Sequence, residues 1–226
     1  MLHVLVELSR IQNRKSPDFL IIGALPLLMY GYLRYTALWD IDLLFRNSTE
    51  LQEFAKRSKS PTIRIVDYDD MLMVSESITS YHTAWTSDKN WLNVDYILRR
   101  DLFEFHADKL TNSTSFNERI AWNGSNYDIS LFLAHPWDII ASKVLSPRTT
   151  RDISLRVDTS IDIRHIFAVY KVEKDNMNFW RHVVSRGSWF CPKDVFRKKF
   201  LELLRVAHEL GYENLEISPL AMEMLS

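Results

Sequence analysis

Two aspartates that stand two residues apart in an apolar segment constrain this chain most strongly. Residues 39–45 are WDIDLLF, a composition typical of a strand that is covered on both sides. Side chains alternate along a strand, so Asp40 and Asp42 are expected on one face. Two carboxylates on one face repel each other unless a cation lies between them, and Mg²⁺ prefers such oxygen ligands together with phosphate. The segment therefore predicts a site for Mg²⁺, or Mn²⁺, with a phosphate-bearing substrate.

The segment before the aspartate pair predicts a turn that is open to phosphate. Apolar residues from Phe19 to Ile22 predict a short strand, and Gly23 with Ala24 predicts a tight turn before one short helix. Glycine has no Cβ, so the backbone at Gly23 can approach a phosphate closely. The predicted order within residues 18–46 is therefore strand, turn, helix and metal-bearing strand.

The motif residues of this stretch resemble the signature of the nucleotidyltransferase superfamily. They are Gly23, a helix that is expected to carry Gly31-Tyr32 and Arg34, then Thr36 and Asp40-Ile41-Asp42. The lead-in before the aspartates, GY-x-R-x-T, is more narrowly similar to the AbiEii-type (AbiEii/AbiGii) nucleotidyltransferase toxin family. The resemblance covers roughly residues 18–170, and it implies that Asp40 and Asp42 hold the metal of a bound NTP. It also implies a group of nucleotide-binding residues, which are Gly23, Ala24, Arg34 and Thr36.

The chain departs from this family pattern at two points. Gly23-Ala24 stands where the family usually has Gly-Ser or Gly-Gly, so a hydroxyl contact to phosphate is missing. Residues 37–39 separate Thr36 from Asp40, where the family usually has one residue. These departures keep a second interpretation open, in which the fold is catalytically silent and binds a nucleotide or a protein partner.

A third carboxylate is expected on a later strand. Residues 91–98, WLNVDYIL, are rich in aromatic and β-branched residues and predict a strand that carries Asp95. A carboxylate among apolar neighbours is costly unless it is paired, hydrogen-bonded or bound to a metal. The nucleotidyltransferase pattern has a third acidic ligand after the D-x-D pair, and the resemblance assigns this role to Asp95. Two alternatives stay open: Asp128 takes this role, or Asp95 lies on an edge strand and faces water.

A helical motif in the second half carries the remaining predicted site residues. Residues 136–145, PWDIIASKVL, predict a helix with Lys143 on it. The family has a helix of the form h-x-D-h-h-x-x-K here, then a basic loop and a second helix that begins with aspartate; Arg148 and Arg151 would lie in that loop. By this resemblance Lys143 would meet the triphosphate and Asp162 would brace or orient the site. A lysine is a compact point charge suited to phosphate; without the resemblance, Lys143 is simply an exposed helix residue.

Charge is distributed unevenly along the chain. Residues 143–205 contain 14 Lys and Arg against 7 Asp and Glu, a net charge of +7, whereas residues 1–142 have a net charge of −4. A basic half beside an acidic, metal-binding half suits a polyanion that must approach both. A solvated basic helical surface explains the same numbers equally well.

The composition of the chain indicates the cellular compartment in which it is expected. The single cysteine, Cys191, excludes an internal disulfide framework and favours the reducing cytoplasm. The longest apolar run, residues 19–30, is too short to span a bilayer, so no membrane association is expected. The N-terminus also lacks the basic start and apolar core of a secretion signal.

Periodicity and turn residues predict the other elements. Helices are predicted at residues 1–15, from an N-cap at Ser48 onwards, and at 158–172, about 175–186 and 192–210; strands are predicted at 62–68 and around 78–85, and a hairpin turn at 123–125.

The predicted fold class is α/β (α+β), a nucleotidyltransferase-like mixed β-sheet domain at residues 1–134 followed by an α-helical domain at 135–226. The predicted activity is metal-dependent transfer of a nucleotidyl group from an NTP to a hydroxyl of an RNA or protein acceptor. The resemblance adds a toxin role with a cognate antitoxin. Besides the silent fold, different phosphoryl chemistry on the same metal pair stays open.

Overall fold

The computed structural model describes residues 1–13, 15–34, 40–58, 64–74, 79–87, 90–108, 114–155 and 160–226. The chain divides into two compact units. The first comprises Met1–Pro26 and Tyr35–His135, and the second comprises Leu27–Arg34 and Pro136–Ser226. Residues 27–34 thus group with the helical part of the chain, although they precede the aspartate pair in sequence. The assignment of residues 1–134 and 135–226 as functional domains stays a prediction.

The first unit contains a seven-stranded sheet with the spatial order β3-β4-β5-β2-β1-β7-β6. Its strands are β1 (Leu20–Ile22), β2 (Asp40–Phe45), β3 (Arg64–Val74), β4 (Thr79–Ser87), β5 (Asn90–Leu98), β6 (Thr114–Trp122) and β7 (Ser125–Leu133). β2 runs parallel to β5 and β1 runs parallel to β7, whereas the other described pairings are antiparallel. The sheet is therefore mixed, as predicted.

Alternation along the strands determines which face of the sheet is buried. On β2, Ile41 and Leu43 are fully buried, whereas Asp40 and Asp42, which alternate with them, are only partly buried. On the buried side, the ring of Phe54 packs 6.2 Å from that of Trp85 and 5.5 Å from that of Tyr96. One face thus joins an aromatic core, and the other carries the carboxylates.

The described part of the chain contains ten α-helices. They are α1 (Leu2–Ile11), α2 (Ala24–Met29), α3 (Ser48–Arg57), α4 (Arg100–Ala107), α5 (Pro136–Val144), α6 (Pro147–Leu155), α7 (Ile161–Glu173), α8 (Met177–Gly187), α9 (Lys193–Glu209) and α10 (Pro219–Leu225). The mixed sheet followed by helices confirms the predicted fold class and is consistent with a nucleotidyltransferase-like fold.

The second unit has an aromatic core of its own. The ring of Trp180, which is fully buried, lies 5.4 Å from that of Phe200 and 6.0 Å from that of Tyr170. The Tyr170 hydroxyl accepts a hydrogen bond from the backbone N–H of Ser218 and donates one to the carbonyl of Glu216. These contacts fix α7, α8 and α9 together with the segment before α10.

Three local predictions were wrong. The N-cap of α3 is Asn47 rather than Ser48, because the Asn47 side chain accepts the Glu50 N–H at 2.9 Å. The helix α2 ends at Met29 and does not carry the GY-x-R motif, because Gly31 adopts a left-handed φ of +82°. The basic loop expected around Arg148 is the helix α6.

Of the described helices, none combines the length and the apolar character that are needed to cross a membrane.

Candidate functional site

Three carboxylates converge on the half-exposed face of the sheet. Parallel pairing of β2 with β5 puts Asp42 opposite Asp95, and it puts Asp40 opposite Asn93. Asp40, Asp42 and Asp95 can each offer one carboxylate oxygen such that all three oxygens lie within 4.8 Å of one another. Oxygens at this spacing, from three separate side chains, fit the hard-ligand preference of Mg²⁺ and Mn²⁺.

The backbone of Gly23 packs directly against the side chain of Asp42. Antiparallel pairing places Ile22 opposite Asp42, so the turn that follows β1 passes next to that carboxylate. A Cβ added at Gly23 would lie 1.9 Å from Oδ2 of Asp42, and Gly23 has a left-handed φ of +74°. Both the space and the backbone conformation therefore require glycine here. Ala24, the other residue of the predicted turn, is the first residue of α2.

Burial and neighbouring charge act against each other at Asp95. Its side chain is only 13% exposed, and burial raises the pKa of Asp95 above its ordinary value. His82 opposes this rise, since its Nδ1 lies 2.9 Å from Oδ1 of Asp95, while the Asp40 carboxylate adds to it. A raised pKa favours proton uptake, and a bound cation would restore the charged form.

Asp128, the alternative third carboxylate, lies elsewhere on the sheet. It stands opposite Arg119 in the β6–β7 pairing, and its Oδ1 accepts a hydrogen bond from Nε of Arg119 at 2.7 Å. Both side chains are largely exposed, at 75% and 69%. The geometry thus groups Asp95, rather than Asp128, with Asp40 and Asp42.

The second unit joins Lys143 to Asp162. Nζ of Lys143 donates a hydrogen bond to Oδ1 of Asp162, and Nε of Arg148 lies 3.9 Å from the other carboxylate oxygen. Asp162 is 8% exposed and Lys143 is 17% exposed. Burial alone would raise the pKa of Asp162, but Lys143 and Arg148 lower it below its ordinary value. The Asp162 carboxylate therefore stays ionised and accepts the hydrogen bond that positions the Lys143 side chain.

His165 lies close to this ion pair. It is 6% exposed, and its Nδ1 is a buried atom with no hydrogen-bond partner. Burial, reinforced by the charge of Lys143, lowers the pKa of His165 to about 3. The ring is therefore neutral at physiological pH and adds no positive charge to the cluster.

Tyr32 anchors the GY-x-R segment within the second unit. Its hydroxyl donates to Oε1 of Glu173 and accepts a hydrogen bond from Nε1 of Trp137 at 3.2 Å. Burial and the Glu173 contact raise the pKa of Tyr32 to about 12. Arg34, two residues later, is exposed. Thr36, the last predicted nucleotide contact, lies outside the described residues.

Sequence reasoning missed His82 and Asn93 as neighbours of the carboxylates. Both lie on strands that flank or carry the site, His82 directly opposite Asp95 and Asn93 directly opposite Asp40. Alternation along β4 and β5 already places His82 and Asn93 each on one face of its strand. It does not show that they lie next to the carboxylates until the register between the strands is known.

The described residues thus form a mixed α/β fold with a carboxylate trio beside a glycine turn. Comparison with models of protein families finds no match, and neither does comparison with curated proteins. Several solved structures are similar, three of which follow. A protein from H. pylori assigned as a nucleotidyltransferase is 15% identical with a TM-score of 0.42, over 99% of this chain and 88% of that one.

The second similar structure is JHP933 from Helicobacter pylori, at 14% identity and a TM-score of 0.41, over 99% of this chain and 85% of that one. The third is an antigenic nucleotidyltransferase-like protein from Paracoccidioides brasiliensis, at 15% identity and a TM-score of 0.41, over 92% of this chain and 84% of that one.

Proposed function

We propose that the chain is a metal-dependent nucleotidyltransferase that moves an NMP group from an NTP to a hydroxyl acceptor. The observation that carries the proposal is the trio of Asp40, Asp42 and Asp95, with carboxylate oxygens within 4.8 Å of one another. The turn at Gly23 supports it, because it packs against Asp42 without a side chain.

The trio would hold Mg²⁺ or Mn²⁺, and bound metal of this kind neutralises phosphate charge and polarises the reacting oxygens. Asp40 and Asp42 would hold the metal that the NTP phosphates approach, and Gly23 leaves room for those phosphates because it has no side chain. Asp95 would complete the metal site and help to take the proton from the acceptor hydroxyl. The acceptor oxygen forms a bond to the α-phosphorus while the bond to the β-phosphate breaks, and pyrophosphate leaves.

The contribution of the second unit to this proposal is Lys143. We assign it a contact with the triphosphate, with Asp162 holding its ammonium in one orientation. Arg34 is assigned to the nucleotide as well, on a segment that Tyr32 anchors. Thr36 keeps the same assignment by resemblance alone.

The decisive experiment incubates the protein with each labelled NTP, Mg²⁺ and total RNA or cell lysate. Wild type should transfer label and release pyrophosphate, and Asp40→Asn/Asp42→Asn should do neither. Asp128→Asn is the matched control, because this exposed carboxylate of the same sheet pairs with Arg119 and should leave transfer unchanged. Equal transfer by wild type and by the double variant would refute the proposal.

The alternative is a catalytically silent fold, and Ala24 is the residue that favours it. A serine hydroxyl at this position is missing, and with it one contact to phosphate. The two functions differ in one measurement: a silent fold binds NTP with Mg²⁺ in titration calorimetry but releases no pyrophosphate with any acceptor. Ala24→Ser should then increase NTP affinity.

We extend the proposal to an AbiEii-type toxin role with a cognate antitoxin, on the GY-x-R-x-T lead-in to Asp40 alone. Induced expression in a bacterial host should arrest growth, and Asp40→Asn/Asp42→Asn should not. Growth that is unaffected by wild type, at equal expression of both proteins, would remove the toxin role and leave the enzymatic proposal intact.

A further inference from the structure

The half-exposed sheet face that carries the trio continues across β5, β4 and β3. Residues two apart on a strand share a face, so Trp91 and Asn93 lie on the same face of β5 as Asp95. The antiparallel pairing of β4 with β5 places Ala84 opposite Asn93 and Thr86 opposite Trp91. The surface next to the carboxylates is therefore made of these side chains.

One further strand completes this surface with a positive charge. Arg64 on β3 stands opposite Thr86, so Arg64, Thr86 and Trp91 form one row across three strands. Arg64 is exposed, and Trp91 is 66% exposed. We refer to Trp91, Asn93, Ala84, Thr86 and Arg64 as the Trp91 surface.

The opposite face of the same strands explains why the Trp91 surface faces outward. Val94 and Trp85, which alternate with the residues of the surface, are buried. The Trp85 indole is stacked on Phe54 and donates a hydrogen bond to the hydroxyl of Tyr96 at 3.0 Å. These buried side chains pack on the opposite face of the sheet. The large exposed ring of Trp91 is not part of that core.

We propose that the Trp91 surface binds the single-stranded end of a nucleic acid, with a base stacked on Trp91 and a phosphate on Arg64. This inference rests on the proposed function and names its acceptor class. Binding of single strands typically combines an exposed aromatic ring, on which any base can stack, with a cation for the backbone. Thr86, which lies between the two in this row, and Ala84, which lies next to Asn93, both have small side chains.

The position of the surface relative to the trio fits this role. Trp91 precedes Asp95 by four residues, which is about 13 Å along an extended strand. A terminal nucleotide that is stacked near Trp91 can therefore direct its hydroxyl towards the carboxylates. Asn93, half-exposed between them, offers both a donor and an acceptor to a base or a ribose.

The test measures binding of a short, end-labelled single-stranded oligoribonucleotide to the full chain by fluorescence anisotropy, with a chelator and without NTP. Trp91→Ala should weaken binding by on the order of 10- to 100-fold, whereas Trp91→Phe should retain most of it. Arg64→Gln should weaken binding and lower the slope of log K against log salt by about 0.7, because one phosphate contact is lost. Trp91→Ala should leave this slope unchanged.

Trp122→Ala is the matched control, because Trp122 is 56% exposed at the tip of the β6–β7 hairpin of the same sheet. It should bind the oligoribonucleotide like wild type. Equal binding by Trp91→Ala and wild type would overturn the inference, as would a wild type that does not bind the oligoribonucleotide but transfers label to a protein. Unfolding temperatures that match wild type would exclude misfolding of either variant.

Failure of this inference can be distinguished from failure of the proposed function. Asp40→Asn/Asp42→Asn should bind the oligoribonucleotide at least as tightly as wild type, since no metal takes part and negative charge is removed. If this variant also transfers label like wild type, the proposed function fails while the binding surface stands. If only Trp91→Ala behaves like wild type, the surface fails while the metal site stands.

Discussion

Nδ1 of His82 lies 2.9 Å from Oδ1 of Asp95, directly across the pairing of β4 with β5. Both side chains are mostly buried, at 18% and 13% exposure. At this distance the ring interacts electrostatically with the carboxylate, and we expect it to favour one orientation of Asp95 beside Asp40 and Asp42. Partners of this kind, one contact away from a metal, tune both the orientation and the basicity of the ligand.

His82→Leu should therefore weaken Mn²⁺ binding by about 10- to 100-fold. His82→Asn should recover much of that loss, because the Asn amide can place a donor near the position of Nδ1. Electron paramagnetic resonance of free Mn²⁺ measures the affinity without any substrate. If Leu and Asn variants bind Mn²⁺ equally well, His82 does not position Asp95.

Gly23→Ala should abolish metal binding through Asp42. The new Cβ would lie 1.9 Å from Oδ2 of Asp42, so the carboxylate or the turn must move. Left-handed backbone adds a cost of about 1 kcal/mol or more for a residue with a Cβ. The free energy of unfolding and the Mn²⁺ affinity should both fall, as measured by denaturant titration and by calorimetry.

Gly124→Ala separates these two effects. Gly124 has a φ of +76°, similar to that of Gly23, but a Cβ there would meet no atom within 4 Å. This variant should show the loss of stability alone and bind Mn²⁺ like wild type. A Gly23→Ala protein that resembles it in both measurements would show that the packing against Asp42 is unimportant.

Lys143→Met should destabilise the second unit, because it leaves the buried carboxylate of Asp162 without its main partner. Breaking such a pair typically costs 3–5 kcal/mol, and we expect about the lower figure because Arg148 stays 3.9 Å away. Lys143→Met/Asp162→Asn should recover part of the loss, as measured by urea unfolding. Additive losses in the double variant would mean that the two residues act independently.

The same variants test the nucleotide role of Lys143. A triphosphate that loses a charge-assisted contact should bind more weakly by roughly 1.5–3 kcal/mol. The double variant should remain weak in NTP binding even where its stability recovers, and calorimetry with NTP and Mg²⁺ measures this. NTP affinity that recovers together with stability would remove Lys143 from the nucleotide site.

Local sequence patterns predicted the strands that carry the trio. Asp40 and Asp42 were expected on one face, and Asp95 was expected on a later strand, because strand alternation is a local property. The structure adds the in-register pairing of Asp42 with Asp95. That pairing depends on which strands become neighbours, which alternation along one strand does not encode.

Contacts between distant parts of the chain could not be predicted. His82 meets Asp95 only through the register of β4, a strand whose start was hard to locate because residues 69–90 lack a clear period. Tyr32 and Glu173 are separated by 141 residues, and only packing of the second unit brings them together. The helix α2 ends early because Gly31 adopts a left-handed conformation. A glycine can adopt this conformation but often does not, so its presence in the sequence does not predict the end of the helix.

The stability of the protein should fall as pH is lowered from about 6.5, because of His165. Burial lowers the pKa of His165 to about 3, and the charged groups near the ring are Lys143, Asp162 and Arg164. Between about pH 6.5 and pH 3 the unfolded chain therefore binds a proton at this histidine, whereas the native ring stays neutral. The free energy of unfolding should therefore decrease by roughly 2 kcal/mol between pH 7 and pH 5 through this residue. His165→Leu should remove that part of the slope in urea unfolding at several pH values. A slope that is unchanged by the substitution would show that another group takes up the proton.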